Sequence, residues 1–180
     1  MASVFLSLGS NIDREQHLLA ALDQLCVHFG VLMCSSVYES EAVGFDGAPF
    51  LNMVVGLHTD HSVGALVQLL RRIEEINGRD RQAARFSART LDIDILTYDQ
   101  CLGEVDGITL PREEILKHAF VLQPLAELAP DAVHPVAGKT YRNLWLAFDK
   151  TSQALWPVSF IWRGVDLSQQ VSRPPSTLNI

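Results

Sequence analysis

The sequence predicts an α+β sandwich, with helices on one face of a mostly antiparallel sheet, and three observations predict it. Strand-like apolar runs and amphipathic helical stretches follow one another as β-α-β and again β-α-β. The second and third strands are separated by a loop with no helix, which disfavours a doubly wound parallel sheet, where every crossover needs one. The chain has 180 residues, 48% of them hydrophobic and 19% charged, with no fixed-period repeat and no linker, so it suits one core and one domain.

Val4 to Leu8 reads as a buried first strand, stopped by Gly9-Ser10-Asn11. A helix follows from about Arg14 to His28, with Leu18, Leu19, Leu22 and Leu25 on one face at the 3.6-residue period. Val31 to Tyr38, rich in β-formers, is the second strand, and Gly44 to Pro49 is a breaker-dense loop. Phe50 to His58 is the third strand. Val63 to Asn77 is a second amphipathic helix with Leu66, Leu69, Leu70 and Ile73 inward, ended by Gly78. An arginine-bearing loop leads to a strand over Leu91 to Tyr98 and a hairpin-like stretch from Gly103 to Leu110. Helices are expected over Arg112 to Lys117, Val121 to Ala129 and Tyr141 to Phe148. The domain is expected to span residues 1–163, and the Ser-, Gln- and Pro-rich residues 164–180 read as a disordered tail.

Several classes are disfavoured early. No apolar run approaches the ~18–20 residues of a membrane span, and the N-terminus lacks the basic start and apolar centre of a secretion signal. Three scattered cysteines, Cys26, Cys34 and Cys101, suit a reducing cytoplasm better than a disulfide scaffold or a zinc site. The net charge of −7 argues against a nucleic-acid binder. That charge is unevenly spread. Between Arg71 and Arg89 six arginines face three carboxylates, which leaves −10 for the rest of the chain. Arginine is the side chain suited to gripping phosphate with two parallel hydrogen bonds, although the same cluster also fits a solvated helix face.

The chemistry concentrates in Arg85-Phe86-Ser87-Ala88-Arg89-Thr90-Leu91-Asp92-Ile93-Asp94. Strand alternation sends Leu91, Ile93 and Ile95 to one face and Asp92 and Asp94 to the other, the two acids about 7 Å apart at the backbone. Like charges this close repel unless neutralised. Magnesium, which takes a few carboxylates plus phosphate oxygens and water, would resolve the conflict. Two aspartates alone also suit an ordinary half-solvated strand, but with arginines immediately upstream the stretch favours phosphoryl-type transfer. No Walker loop, Gly-x-Gly-x-x-Gly, Gly-x-Ser-x-Gly or His-Glu-x-x-His motif competes.

These residues, with Leu8-Gly9-Ser10-Asn11, Ser35 to Ser40, Phe50-Leu51-Asn52, Gly78-Arg79, His118 to Leu122 and Pro124 to Pro130, resemble the 6-hydroxymethyl-7,8-dihydropterin pyrophosphokinases of folate biosynthesis. The resemblance covers about Val4 to Pro135. It implies a ferredoxin-like two-layer domain that moves diphosphate from ATP to the pterin hydroxymethyl group and releases AMP. Two magnesium ions would sit on Asp92 and Asp94, and Arg79 and Arg89 would be the catalytic arginines. ATP would lie near Glu74, Arg81, Phe86, Ile95, Thr109, Arg112 and His118. The pterin slot would be Ser40, Val43, Phe50, Asn52 and Phe120, with the phenyl rings stacking a flat heterocycle and the Asn52 amide reading its edge.

The chain departs from the family's pattern in places. Phe86-Ser87-Ala88 stands where a Trp-Gly-Pro is frequent, and Ser40-Glu41 where Thr-Pro is. Arg112 and His118 stand as if an arginine and a histidine had exchanged. These departures keep a second reading open, a non-catalytic or changed-substrate relative acting as a pterin-binding module. Small-molecule partners, a monomer or weak oligomer, and a cytoplasmic location complete the expectations.

Overall fold

The computed structural model describes residues 1–44, 46–79, 88–168 and 177–178. β1 (Ala2–Ser10) alternates between buried and half-buried positions along its whole length, as a strand with different neighbours on its two faces should. It lies inside the sheet, between two neighbours. β4 (Phe50–Thr59) flanks it with Leu6 opposite Val55, and β5 (Asp92–Tyr98) flanks it with Ser7 opposite Asp94, both antiparallel. Every strand pairing among the described residues is antiparallel.

Val4, Leu6 and Leu8 project to one face, where α1 (Arg14–Phe29) and α2 (Val63–Ile76) cover them with Leu18, Leu22, Leu25, Leu66, Leu70 and Ile73. Ser62 caps α2 by accepting from Ala65 N at 3.3 Å, and the chain leaves it through Gly78 in the left-handed region, φ 77°. These two helices and the sheet form the expected sandwich. A third layer is added on the opposite face. There Val54 and Leu96 pack against α3 (Glu114–Lys117), α4 (Ala119–Leu128) and α5 (Tyr141–Ala147), through Ile115, Val121, Leu122, Leu125 and Tyr141.

The second strand, expected as one run over Val31 to Tyr38, is two: β2 (Leu32–Cys34) and β3 (Val37–Ser40), each paired with β4. Serine hydroxyls cause the break. Ser35 Oγ accepts from Val54 N at 2.9 Å and donates to Ser36 O at 2.7 Å, replacing a ladder bond, while Ser36 N and Oγ both donate to Glu127 Oε1, at 2.9 and 2.8 Å. β6 (Gly103–Val105) and β7 (Ile108–Leu110) form the expected hairpin.

β8 (Leu155–Val158) extends the sheet beyond β3, with Pro157 tolerated on this outermost strand. β9 (Ile161–Trp162) and β10 (Val165–Asp166) make a second hairpin. The expectation of a disordered tail from residue 164 is corrected for residues 164–168. Gly164 turns the chain at φ 78°, Leu167 is fully buried and Trp162 nearly so, with Trp162 Nε1 donating to Asp23 Oδ1 at 3.0 Å. Burying side chains of this size stabilises by roughly 1.5–3 kcal/mol each, enough to hold a short polar stretch in place. β11 (Thr177–Leu178) pairs with β2; residues 169–176 and 179–180 lie outside the described residues.

Candidate active site

Alternation along β5 buries Ile93 and Ile95 and turns Asp92, Asp94 and Leu96 toward the α4 side of the sheet. Ser7 and Gly9 of β1 and Asn52 of β4 point the same way, and together they floor a cleft of about 440 Å³. Gly9 is paired with Asp92 on one side and Asn52 on the other. A Cβ there would stand 3.4 Å from Asn52 Oδ1 and 3.8 Å from Phe50 Cδ1, so glycine keeps the floor open.

The two acids are held by separate cations. Arg79 Nη1 donates to both Asp92 Oδ1 and Glu74 Oε1. Glu74, at the end of α2, is only 3% exposed and also accepts from Ile93 N at 2.8 Å. Arg89 Nη1 stands 3.8 Å from Asp92 Oδ1. Arg112 Nη2 donates to Asp94 Oδ1 at 2.8 Å, and its Nε is 3.6 Å from Glu114 Oε2. Burial pulls the Arg79 guanidinium down, but Asp92 and Glu74 more than offset it, leaving its pKa raised. The Asp94 side chain keeps 45% exposure through the mouth of the cleft. Desolvation by the surrounding protein, and then the charge of Asp92, nevertheless push its carboxyl above the usual aspartate range despite Arg112.

This donor set fits magnesium. Among the described residues no group of three or more His, Cys, Asp or Glu side chains is placed to hold a metal. Two adjacent carboxylates at an open cleft leave the remaining positions to phosphate oxygens and water, as magnesium prefers. The Asp92 charge that adds to burial in raising Asp94 is also what a divalent ion offsets.

At the other end of the cleft Ser40, Val43, Phe50, Asn52 and Phe120 come together. Asn52 is 4% exposed and donates through Nδ2 to Ser40 Oγ at 2.9 Å, which fixes the amide plane. His118 stacks on Phe120 with centroids 4.8 Å apart and planes 16° from parallel. Burial lowers the His118 pKa, against the opposing charge of Glu114 and with a smaller contribution from Lys117.

Arg79, Arg89, Asp92, Asp94, Arg112 and His118 thus share one cleft with the five slot residues. Glu74 and Ile95 line a second hollow of about 210 Å³ that meets the first at Arg79, Asp92, Asp94 and Arg112. Thr109 is exposed on β7 and lines neither hollow. Arg81 and Phe86 lie outside the described residues.

Two residues brace the site from outside it, and the sequence carries little signal for either role. Asn11 donates through Nδ2 to Ala48 O at 3.0 Å and accepts on Oδ1 from Arg89 N at 2.6 Å, so it ties the loop before β4 to the loop bearing Arg89. Its one signal was the Gly9-Ser10-Asn11 turn. Glu127 accepts from the Ser36 hydroxyl and from Tyr38 Oη, at 2.8 and 2.9 Å, and braces the strand that ends in Ser40. Nothing in its sequence context marks that role.

A family model described as 7,8-dihydro-6-hydroxymethylpterin-pyrophosphokinase matches residues 5–130. A 2-amino-4-hydroxy-6-hydroxymethyldihydropteridine pyrophosphokinase of Synechocystis sp. is 37% identical over 157 residues, covering 86% of this chain and 79% of that one. The protein of the same name in Bacillus subtilis is 39% identical over 128 residues, covering 69% and 76%. Among solved structures, a crystal structure of HPPK-DHPS in complex with substrates superposes with a TM-score of 0.64 at 14% identity. That match covers 84% of this chain and 44% of the solved one, and it carries the fold alone.

Proposed function

The chain belongs to the 7,8-dihydro-6-hydroxymethylpterin-pyrophosphokinase family, whose members are transferases, and from that premise we propose that it moves diphosphate from ATP to 6-hydroxymethyl-7,8-dihydropterin, with magnesium, releasing AMP. One observation carries the reading: a slot of two phenyl rings and a fixed amide opens directly onto paired aspartates ringed by arginines. A flat heterocycle between Phe50 and Phe120, its polar edge on Asn52, puts a hydroxymethyl arm toward Asp92 and Asp94.

In the reaction the hydroxymethyl oxygen bonds to the β-phosphorus of ATP. The bond from that phosphorus to the oxygen bridging to the α-phosphorus breaks, AMP leaves with that oxygen, and the hydroxyl proton passes to water. Asp92 and Asp94 would hold magnesium, which when bound offsets charge on the phosphate oxygens. Arg79 and Arg89, now turned to Asp92, would meet the transferring diphosphate. Removing one such donor lowers rates by about 10²–10³-fold. Because burial disfavours charge on His118, the cationic contact to the triphosphate would fall to Arg112. The second hollow, which meets the first at Arg79 and Arg112 and has Val67, Leu70 and Ile108 in its lining, would take the nucleoside end.

The test is AMP release from ATP and magnesium, with and without 6-hydroxymethyl-7,8-dihydropterin. AMP formation that depends on the pterin and disappears in Asp92→Asn and Asp94→Asn is expected. Tight pterin binding with no AMP from the wild-type chain would overturn the reading in favour of a binding module.

A further inference from the structure

The wall of the slot that carries His118 and Phe120 hangs on a junction between two helix ends. α3 stops at Lys117 and α4 starts at Ala119, with His118 extended between them at φ −121° and ψ 125° and its side chain capping neither helix. The first N–H groups and last C=O groups of a helix have no partner inside it. Here an orphan from each helix is taken by one side chain from far along the sequence. Gln153 Oε1 accepts from Ala119 N at 2.8 Å, and Gln153 Nε2 donates to Lys117 O at 2.8 Å.

Gln153 is itself delivered by a built turn. Asp149 Oδ1 accepts from Thr151 N at 3.0 Å and from Thr151 Oγ1 at 2.6 Å, while Asp149 O accepts from Ser152 Oγ at 2.7 Å. Two residues later the chain joins the sheet as β8, with Leu155 opposite Ser40. Residues 149–158 are therefore fastened to both walls of the slot: to the strand ending in Ser40, and to the backbone on either side of His118. All of them lie beyond the residues 5–130 matched by the family model.

We propose that Gln153 is a positioning residue for the heterocycle slot. It holds the stacked His118–Phe120 pair at a set distance from Ser40 and Asn52, so that the slot is ready for a planar, polar-edged ring before that ring arrives. This rests on the pterin reading above. Without the amide, the first turn of α4 loses its outside partner and frays, and Phe120, in that turn, moves with it. The phosphate end is anchored separately, by Glu74, Arg79 and Arg112 on Asp92 and Asp94, and does not depend on the clamp.

The experiment measures dissociation constants for 6-hydroxymethyl-7,8-dihydropterin and for a non-hydrolysable ATP analogue, with hydrogen exchange at the Ala119 amide, in wild type and Gln153→Ala. If the wild type binds no pterin, the function reading fails and the clamp is overturned with it. If it does bind, Gln153→Ala is expected to weaken pterin binding about tenfold, equivalent to about 1.4 kcal/mol. Affinity for the ATP analogue should stay within about twofold, and Ala119 exchange should speed up while β4 amides stay protected. Unchanged pterin affinity, equal weakening of both ligands, or unchanged Ala119 exchange would each overturn the proposal. Should Gln153→Ala fail to fold, Gln153→Glu keeps the acceptor for Ala119 and loses the donor to Lys117. A selective pterin loss of about threefold then supports the clamp, and wild-type affinity overturns it.

Discussion

Replacing Glu74 by alanine tests how the acid–arginine cluster is held. Glu74 is 3% exposed, and among the described residues it accepts from Arg79 Nη1 and Ile93 N. Removing its carboxylate strands the Ile93 amide, which costs about 1–3 kcal/mol when buried. It also leaves Arg79 with Asp92 as its remaining ion-pair partner among the described residues. Removing one partner of a buried pair costs about 3–5 kcal/mol, but Asp92 stays, and its side chain is 31% exposed. The lower end, about 3 kcal/mol in total, is therefore expected. In a chain of this size that lowers Tm by roughly 6–12 °C. Glu74→Gln keeps an oxygen for Ile93 N and should lose about half as much. Urea unfolding at constant m-value measures both variants. A double-mutant cycle with Arg79→Ala should give a coupling of at least about 1.5 kcal/mol, because the arginine is a liability once Glu74 is gone. A Glu74→Ala variant within about 1 kcal/mol of wild type, or strict additivity in the cycle, would refute the reasoning.

Three further outcomes are expected. Magnesium should raise the Tm of the wild-type chain in the presence of an ATP analogue and leave that of Asp94→Asn nearly unmoved; an equal rise in both would place the ion elsewhere. Arg112→Ala should weaken binding of the ATP analogue about tenfold and His118→Ala by less than about threefold, and the reverse order in calorimetric titrations would end the idea that the two residues have exchanged duties. Burial holds the His118 pKa below the ordinary 6.5, so just below that value the folded chain binds fewer protons than the unfolded chain. Stability therefore rises with pH across this window and is lost as pH falls through it. His118→Gln should flatten this acid-side slope of Tm against pH, with the remainder left to His134, which burial also lowers; an unchanged slope would count against a buried, neutral His118.

The elements that local pattern determines were legible. The leucine spacing of α1 and α2, the alternation of Asp92 and Asp94 with Ile93 and Ile95, and the Gly103–Leu110 hairpin all depend on residues close in sequence. What escaped depends on distant partners. The Ser35–Ser36 break reads as continuous strand until Val54 and Glu127 are brought against its hydroxyls. β8 contains a proline and has no strand identity until β3 pairs with it. The third layer was half visible: Val121, Leu122, Leu125, Ala126 and Leu128 surround α4 with apolar groups, more than a helix with one covered side requires. The residues proposed to meet ligands stand out by type and spacing, whereas Gln153 and Glu127 are single polar side chains whose partners lie 34 and 91 positions away.

The Asn11 amide has a thermodynamic corollary. Its oxygen is engaged by the segment that delivers Arg89 and its nitrogen by the segment that leads into Phe50, so a shift of either segment alters a hydrogen bond to a side chain that also holds the other. A first ligand that rearranges one of them changes the cost of rearranging its counterpart, and linkage then requires the second ligand to return the same factor to the first. Cooperativity between nucleotide and heterocycle would be written into one carboxamide that touches neither.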